Sequence, residues 1–508
     1  MTSVEPSQPS TSAVTVTPAD SRYPELVAGY NRRFTGRPDY VRLVASTEQV
    51  VAAVDEAVSA GRRIAVRSGG HCFEDFATSP DIEVLLDLSP MCGVRYDPDM
   101  RAIEVQAGAT LGQVYPALYD AWRVTIPGGT CFEVGMGGHV TGGGYGHLSR
   151  RDGLVVDHLY AVEVVVVDPA GRADVLVATR EPDDPYRDLW WAMTGGGGGN
   201  FGVVTRFWLR SPDVTGDDPS ELLPRAPERM RRRDVVWSWD SMSEAALARL
   251  IGNYCRWLEH NSAAGTAAAQ VWSNLIAMHR SSGMVVLTSV VDDAVPQAQQ
   301  LLDDQLRAIG EGTGLTPVSD EQAVVDWMTS WMPSYSWPSD PQWRAKHKAA
   351  YLRRCFTDSQ LATIAAYLGD PGYTNPQACV VLTAFGGQVN TVAPDATASA
   401  QRDSVVKASF STGHWQQPDE DDLHIDWVRR FYRDVYADTG GVPVPGVVSD
   451  GSYIGYPDGD LADPAWNTSG VAWHTLYYKG NYPRLQRVKR RYDPREVFRH
   501  RLSVQLPD

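Results

Sequence analysis

Residues 127–154 read PGGTCFEVGMGGHVTGGGYGHLSRRDGL, and ten of the 28 are glycine. Glycine lets the backbone take positive φ and come close to a ligand. Successive N–H groups in such turns form concave sites for anions. Two more glycine-dense stretches lie in the first 210 residues, RSGGHCFEDFA at 67–77 and TGGGGGNFGVVT at 194–205. One such loop reads as an ordinary tight turn, whereas three this dense point to a large phosphate-bearing cofactor. Gly197, Gly199 and Gly202 match the dinucleotide fingerprint in spacing, but that loop must open a helix. Here it runs into VVTRFWL, a strand pattern, so a Rossmann reading is rejected.

Around these loops the pattern alternates between strand and helix. Ser46-Thr47-Glu48-Gln49 is a capping box. It opens a helix with Val50, Ala53, Val54, Ala57 and Val58 at helical spacing, ended by Gly61. RIAVR (63–67), EVLLDL, AIEVQAG, the β-branched run from Val162 and VVTRFWLR from Val203 read as strands. Thr110 to Gln113 is a second capping box, before a helix to about Trp122. The Pro-, Asp- and Arg-rich stretch 212–233 reads as a domain boundary, and its run Arg229, Arg231, Arg232 and Arg233 as a solvated face. Beyond it, AALARLIGNYCRWLEH and HIDWVRRFYRDVYADTG read as helices, and GMVVLTSVV as a strand.

Composition narrows the function. The 508-residue chain is 43% hydrophobic and 21% charged, an ordinary globular balance. Its net charge of −16 argues against a nucleic-acid partner and an anionic membrane surface. Six cysteines without a C-x-x-C pair support neither a zinc ribbon nor a disulfide scaffold, and no metal is expected. No apolar run approaches the ~20 residues of a membrane span, and no secretory signal is read. The expectation is a cytoplasmic enzyme with a disordered segment over 1–29.

The ordered set RSGGH, GGTC-x-x-VG-x-GGH-x-x-GGGYG-x-x-SR-x-x-GL and the closing YYKGNYPRLQRVKRRYDPREVF resembles the berberine-bridge-enzyme-like branch of the vanillyl-alcohol-oxidase flavoproteins. The likeness runs from about Arg37 to Pro507. It implies an FAD held by two covalent bonds, from His71 to the flavin 8α-methyl carbon and from Cys131 to carbon 6 of the ring. An imidazole nitrogen and a thiolate are nucleophiles suited to an electrophilic flavin. It implies a pyrophosphate on the backbone N–H groups of Ser68, Gly69, Gly70 and His71 and near Gly137 and Gly138. Arg67, Gly142, Asn200, Gly202, Val204 and Asn481 would complete the cofactor contacts. Val134 stands where relatives control oxygen access, and a small side chain there resembles oxidases. Cys72 has no matching role and is read as packing.

Relatives carry A-Y-x-N-Y-x-D-x-D-L where this chain has Gly451-Ser452-Tyr453-Ile454-Gly455-Tyr456-Pro457-Asp458. The resemblance puts the catalytic base at Tyr456. With Gly455 replacing the Asn, Tyr453 stays a competitor, and Tyr145 of GGGYG is a further candidate. A phenol of pKa ≈ 10 needs help to act as a base near neutrality, from a second tyrosine or a cation. Trp331, Tyr335 and Trp337, with Trp327 and Trp343, form an aromatic stretch that reads either as a sugar-stacking wall or as core. Gln388 is expected on a strand crossing the flavin, where it would bond a substrate hydroxyl.

The fold expected is α+β. A discontinuous FAD domain would comprise 30–212 and 448–508, with a substrate domain over 213–447 built as an antiparallel sheet backed by helices. The activity implied is oxidation of an alcohol on a glycosylated natural product, with O2 reduced to H2O2. Within the branch, the chain resembles actinobacterial hexose oxidases that take the 6-hydroxymethyl of an aminosugar on glycopeptide antibiotics to a carboxylate. An oxidase of oligosaccharides, an oxidase or cyclase of a non-sugar scaffold, and a flavin- or ligand-binding protein without catalysis remain open.

Overall fold

The computed structural model of the chain describes residues 13–329 and 343–507. Three sheets organise it. A four-stranded sheet runs Val14–Val16, Tyr40–Leu43, Val84–Asp87, Ile64–Arg67 in spatial order. A five-stranded antiparallel sheet holds Val94–Asp97, Ala102–Gln106, Val203–Leu209, Leu159–Val167 and Ala173–Thr179. A seven-stranded antiparallel sheet is built entirely from residues 229–415. The architecture is α+β.

Local chemistry explains the main elements. Ser46 caps the helix Thr47–Ser59 by accepting from Gln49 N, and the Gln49 side chain accepts from Ala45 N. The second box forms at Thr110, whose N–H donates to Gln113 Oε1 at 2.9 Å, and opens the helix Leu111–Trp122. The seven-stranded sheet alternates its faces, broken by a bulge at His414. On Val406–Trp415, the Phe410 ring meets Phe431 and Tyr432 of the helix Asp421–Val435. Lys407, Ser409 and Ser411 look the other way, into a cleft. The helix Glu244–His260 covers the same backing face, where the Tyr254 hydroxyl donates to the carbonyls of Ser273 (2.9 Å) and Leu382 (3.0 Å).

Two expectations are corrected here. Residues 13–29 are not a disordered tail. Val14–Val16 pairs with Tyr40–Leu43, and Val16 is buried with Val27, Val41, Ala65, Ile82 and Leu85. A three-residue apolar alternation suffices when a ready sheet edge receives it. The arginine run is a solvated face only at Arg229. It lies on the strand Arg229–Ser238, where Arg233 bridges Asp303 and Asp320 at 2.6 Å each and Arg231 pairs with Asp293 at 2.7 Å.

The C-terminal segment returns to the first sheets. Lys489, fully buried, donates to the Asn200 carbonyl (2.6 Å), the Phe498 carbonyl (2.6 Å) and Asp493 Oδ2 (2.5 Å). Among the described residues no helix is long and apolar enough to cross a membrane.

Candidate active site

The three glycine-dense loops and the inner face of the seven-stranded sheet enclose a cavity of about 430 Å³. The loops of residues 67–77 and 127–142 touch backbone to backbone. A Cβ on Gly69 would stand 2.4 Å from the Glu133 carbonyl oxygen, and one on Gly135 would stand 2.2 Å from Gly69 N. Glycine at both positions is what lets His71 and Cys131 face one cavity.

The donors present fit an FAD. Among the described residues the N–H groups of Ser68, Gly69, Gly70 and His71 donate to no protein acceptor, so a run of amides is available to a pyrophosphate. Ser68 Oγ instead donates to the Ala107 carbonyl at 2.6 Å and pins the loop. A Cβ on Gly138 would meet nothing within 4 Å, which leaves that wall open to a ligand. The His71 ring stacks on Tyr30 with centroids 3.8 Å apart. Among the described residues its buried Nε2 has no hydrogen-bond partner, the Glu133 carboxylate oxygen lying 3.6 Å away. Burial, with the Glu133 carboxylate beside it, pushes the Cys131 thiol up to about 11.

Arg67, Val134, Gly137, Gly142, Gly202 and Val204 also line the cavity. Arg67 is held by Asp87 at 3.5 Å and by the Leu26 carbonyl. Asn200 lines it too, but its side chain works inside the protein, donating to the Gly196 and Gly197 carbonyls and accepting from Val504 N. Two expected residues are elsewhere. Asn481 is buried away from the cavity, its amide donating to the carbonyls of Pro394, Thr397 and Ala398. Gln388 is exposed, because the strand ends at Ala384 and Gly386 and Gly387, both at positive φ, turn the chain outward. Trp331, Tyr335 and Trp337 lie outside the described residues. Trp327 is core, and Trp343 lines the cavity beside Tyr30, 4.5 Å between centroids.

The three candidate tyrosines meet at one point, and a residue the sequence reading missed joins them. Tyr145 and Tyr456 share a hydrogen bond of 2.8 Å between their hydroxyls. Lys407 Nζ lies 2.5 Å from the Tyr145 hydroxyl, within hydrogen-bond distance, and 3.8, 4.1 and 3.4 Å from the ring centroids of Tyr145, Tyr453 and Tyr456. Lys407 is 1% exposed, and burial alone drives its amine well below an ordinary lysine. Burial, moderated by the bond from Tyr145 and reinforced by Cys131, pushes the Tyr456 phenol up to about 12. Gly455 makes this packing fit, since a Cβ there would stand 2.5 Å from the Tyr453 ring.

The FAD binding domain model matches residues 38–173, and the berberine and berberine-like model matches 452–505. The aclacinomycin-N/aclacinomycin-A oxidase of Streptomyces galilaeus is 51% identical over 498 residues, covering 98% of this chain and 90% of the relative. This chain belongs to the berberine-bridge-enzyme-like family of FAD-linked oxidases. Two solved structures of the family lie close to it. CrmK, a flavoenzyme of the shunt product recycling mechanism in caerulomycin biosynthesis, superposes with a TM-score of 0.95 at 49% identity, covering 98% of this chain and all of that one. Glycopeptide hexose oxidase DBV29 complexed with teicoplanin gives 0.91 at 48% identity, covering 97% and 99%. This family member is therefore an FAD-dependent oxidase of the sugar and natural-product tailoring type, acting on an alcohol with oxygen as acceptor.

Proposed function

We propose that this oxidase holds its FAD through both His71 and Cys131 and removes two electrons and two protons at a time from an alcohol on the sugar of a natural product. The observation that carries this reading is the chain Tyr456–Tyr145–Lys407, facing the same cavity as His71 and Cys131. When bound, the flavin supplies the hydride acceptor, and O2 is the terminal oxidant, reduced to H2O2.

The residues handle the proton. The Tyr456 hydroxyl takes the proton of the substrate alcohol and passes its own to Tyr145, which passes its own to Lys407. Burial disfavours the charged form of the lysine and of both phenols, so the amine is the group best suited to accept the proton. Once charged, the ammonium sits against three ring faces that attract a cation. Among the described residues Tyr453 makes no bond to this chain of hydroxyls, and it packs edge-on against Tyr145, with centroids 5.5 Å apart. It shapes the pocket, and Tyr456 is the base.

The substrate proposed is a glycosylated natural product, either a glycopeptide aminosugar oxidised at its 6-hydroxymethyl to the carboxylate, in two rounds, or a sugar of the aclacinomycin kind. The DBV29 likeness supports the first and the 51% identity to the aclacinomycin oxidase the second. The test is an acid-denatured tryptic map followed by a peroxide assay on teicoplanin and aclacinomycin A. Flavin on the peptides of both His71 and Cys131 is expected. So is peroxide release, with loss of two hydrogens from the substrate or net replacement of two hydrogens by oxygen. Flavin that washes free overturns the double tether. Absence of peroxide and mass change with every sugar-bearing substrate overturns the tailoring role.

A further inference from the structure

A cluster of six charges lies beside the cleft, apart from the tyrosine–lysine chain. Lys346 Nζ is 2.7 Å from Glu74 Oε1, 2.8 Å from Asp458 Oδ1 and 3.5 Å from Asp460 Oδ2. Lys348 Nζ is 2.6 Å from Asp458 Oδ2 and 2.9 Å from Asp460 Oδ2. Arg429 closes the set at 2.7 Å from Asp460 Oδ1. All but Arg429 are at most 6% exposed, so these charges have given up nearly all their hydration. Well-packed apolar side chains of the same volume often stabilise a fold as well as such ions do. Stability alone is therefore a weak reason for the arrangement.

The positions supply a stronger one. Glu74 lies three residues past His71, and Asp458 two past Tyr456. Lys346, on the strand Arg344–Leu352, bonds both. The same two loops meet where the Phe73 and Tyr456 rings lie 5.0 Å apart. Asn31 then ties the first loop to the strand, its Nδ2 donating to the Phe73 carbonyl (3.0 Å) and the Ala345 carbonyl (2.9 Å). We propose that the ion cluster centred on Lys346 is a positioning device that holds the His71 loop and the Tyr456 loop in fixed relation to each other. Lys346 does not line the cavity and acts through Glu74 and Asp458. Burial disfavours its charge, but Asp458, Glu74 and Asp460 outweigh it and hold the ammonium above an ordinary lysine. The inference rests on His71 as a flavin tether and Tyr456 as the base.

The test uses the full-length holoenzyme and two variants, Lys346→Met and the milder, isosteric Glu74→Gln. A tryptic map gives the share of chains with flavin at His71, at Cys131 and at both. Peroxide release gives kcat and KM with aclacinomycin A or teicoplanin, whichever the wild type turns over. Lys346→Met is expected to leave most chains attached through Cys131 alone, and to lower kcat about tenfold or more at nearly constant KM, as small misplacements of a reacting group do. Glu74→Gln is expected to reduce the His71 attachment while lowering kcat less, since the Lys346–Asp458 contact survives. If Lys346→Met does not fold, Glu74→Gln decides alone. Wild-type attachment and kcat in the folded variants, even with a lower melting temperature, overturn the proposal, because the cluster then only stabilises. A wild type without flavin on His71 overturns the tether reading instead, and the proposal is then judged by the kcat response of Lys346→Met.

Discussion

Among the described residues Lys407 has no carboxylate bonded to it, only phenol oxygen and ring faces. Replacing it with Met keeps the volume and removes the terminal proton acceptor. We expect Lys407→Met to retain flavin and lose kcat by about 10²–10⁴, the range of general-base contributions. The pH profile gives the sign. A buried amine with a lowered pKa is active unprotonated, so wild-type kcat falls as pH drops through that lowered value. In Lys407→Met this acid limb disappears, and residual activity rises toward the Tyr456 phenol near 12. Steady-state rates across pH check both. The residues carrying the cofactor resemblance were legible, since motif order put His71, Cys131, Ser68 to Gly70 and the tyrosines together. Lys407 was not, because a lone lysine in VKASFSTGHW reads as solvent-facing by residue type. The signal was the alternation itself, with Val406, Ala408 and Phe410 on one face and Lys407, Ser409 and Ser411 on the other.

At the scale of elements, the Val14–Val16 strand gives a clean test, because its core is a small cluster separate from the main one. Val16→Ala is expected to cost about 1–2 kcal/mol through lost burial and a small cavity, measured by denaturant unfolding. Val14→Ala, at a half-exposed position, should cost much less. Helices announced by capping boxes and strands of β-branched residues were readable, because their signals lie within one turn or one strand. The Val14–Val16 strand was hidden by a polar, Pro- and Ser-rich flank, since what orders it is an edge supplied by Tyr40–Leu43. Gln388 and Asn481 failed for a similar reason. Two left-handed glycines redirect one, and three distant carbonyls capture the other, and neither event is written near those residues in sequence.

Across the whole molecule, the C-terminal segment, the early loops and the long sheet are joined by buried charges, and stability inherits their titration. Lys348, Lys346 and Arg429 overcome burial to hold Asp460 well below the usual carboxylate range. A depressed carboxylate contributes stability above its unfolded pKa, about 3.9, and loses it as pH falls toward the lower folded value. Asp450 opposes this modestly. Burial, against Lys479, raises it to about 6, so its share is lost as pH climbs from 4 to 6. The melting temperature of the wild type is therefore expected to fall steeply below pH 4. Asp460→Asn should be less stable at pH 7 by about 3–5 kcal/mol, the cost of unpairing buried cations, and should show a shallower acid limb. Thermal scans from pH 3 to 8 check this.

The alternation of the long sheet also divides labour along each strand. Trp272, Asn274, Val381, Thr383, Ser409 and Ser411 face the cavity, while their immediate neighbours pack on the helices behind. None of the six belongs to the glycine-dense loops. A combinatorial library confined to these positions would therefore recut the inner surface of the enzyme while leaving its prosthetic group seated, which makes the scaffold readily re-taskable by directed evolution.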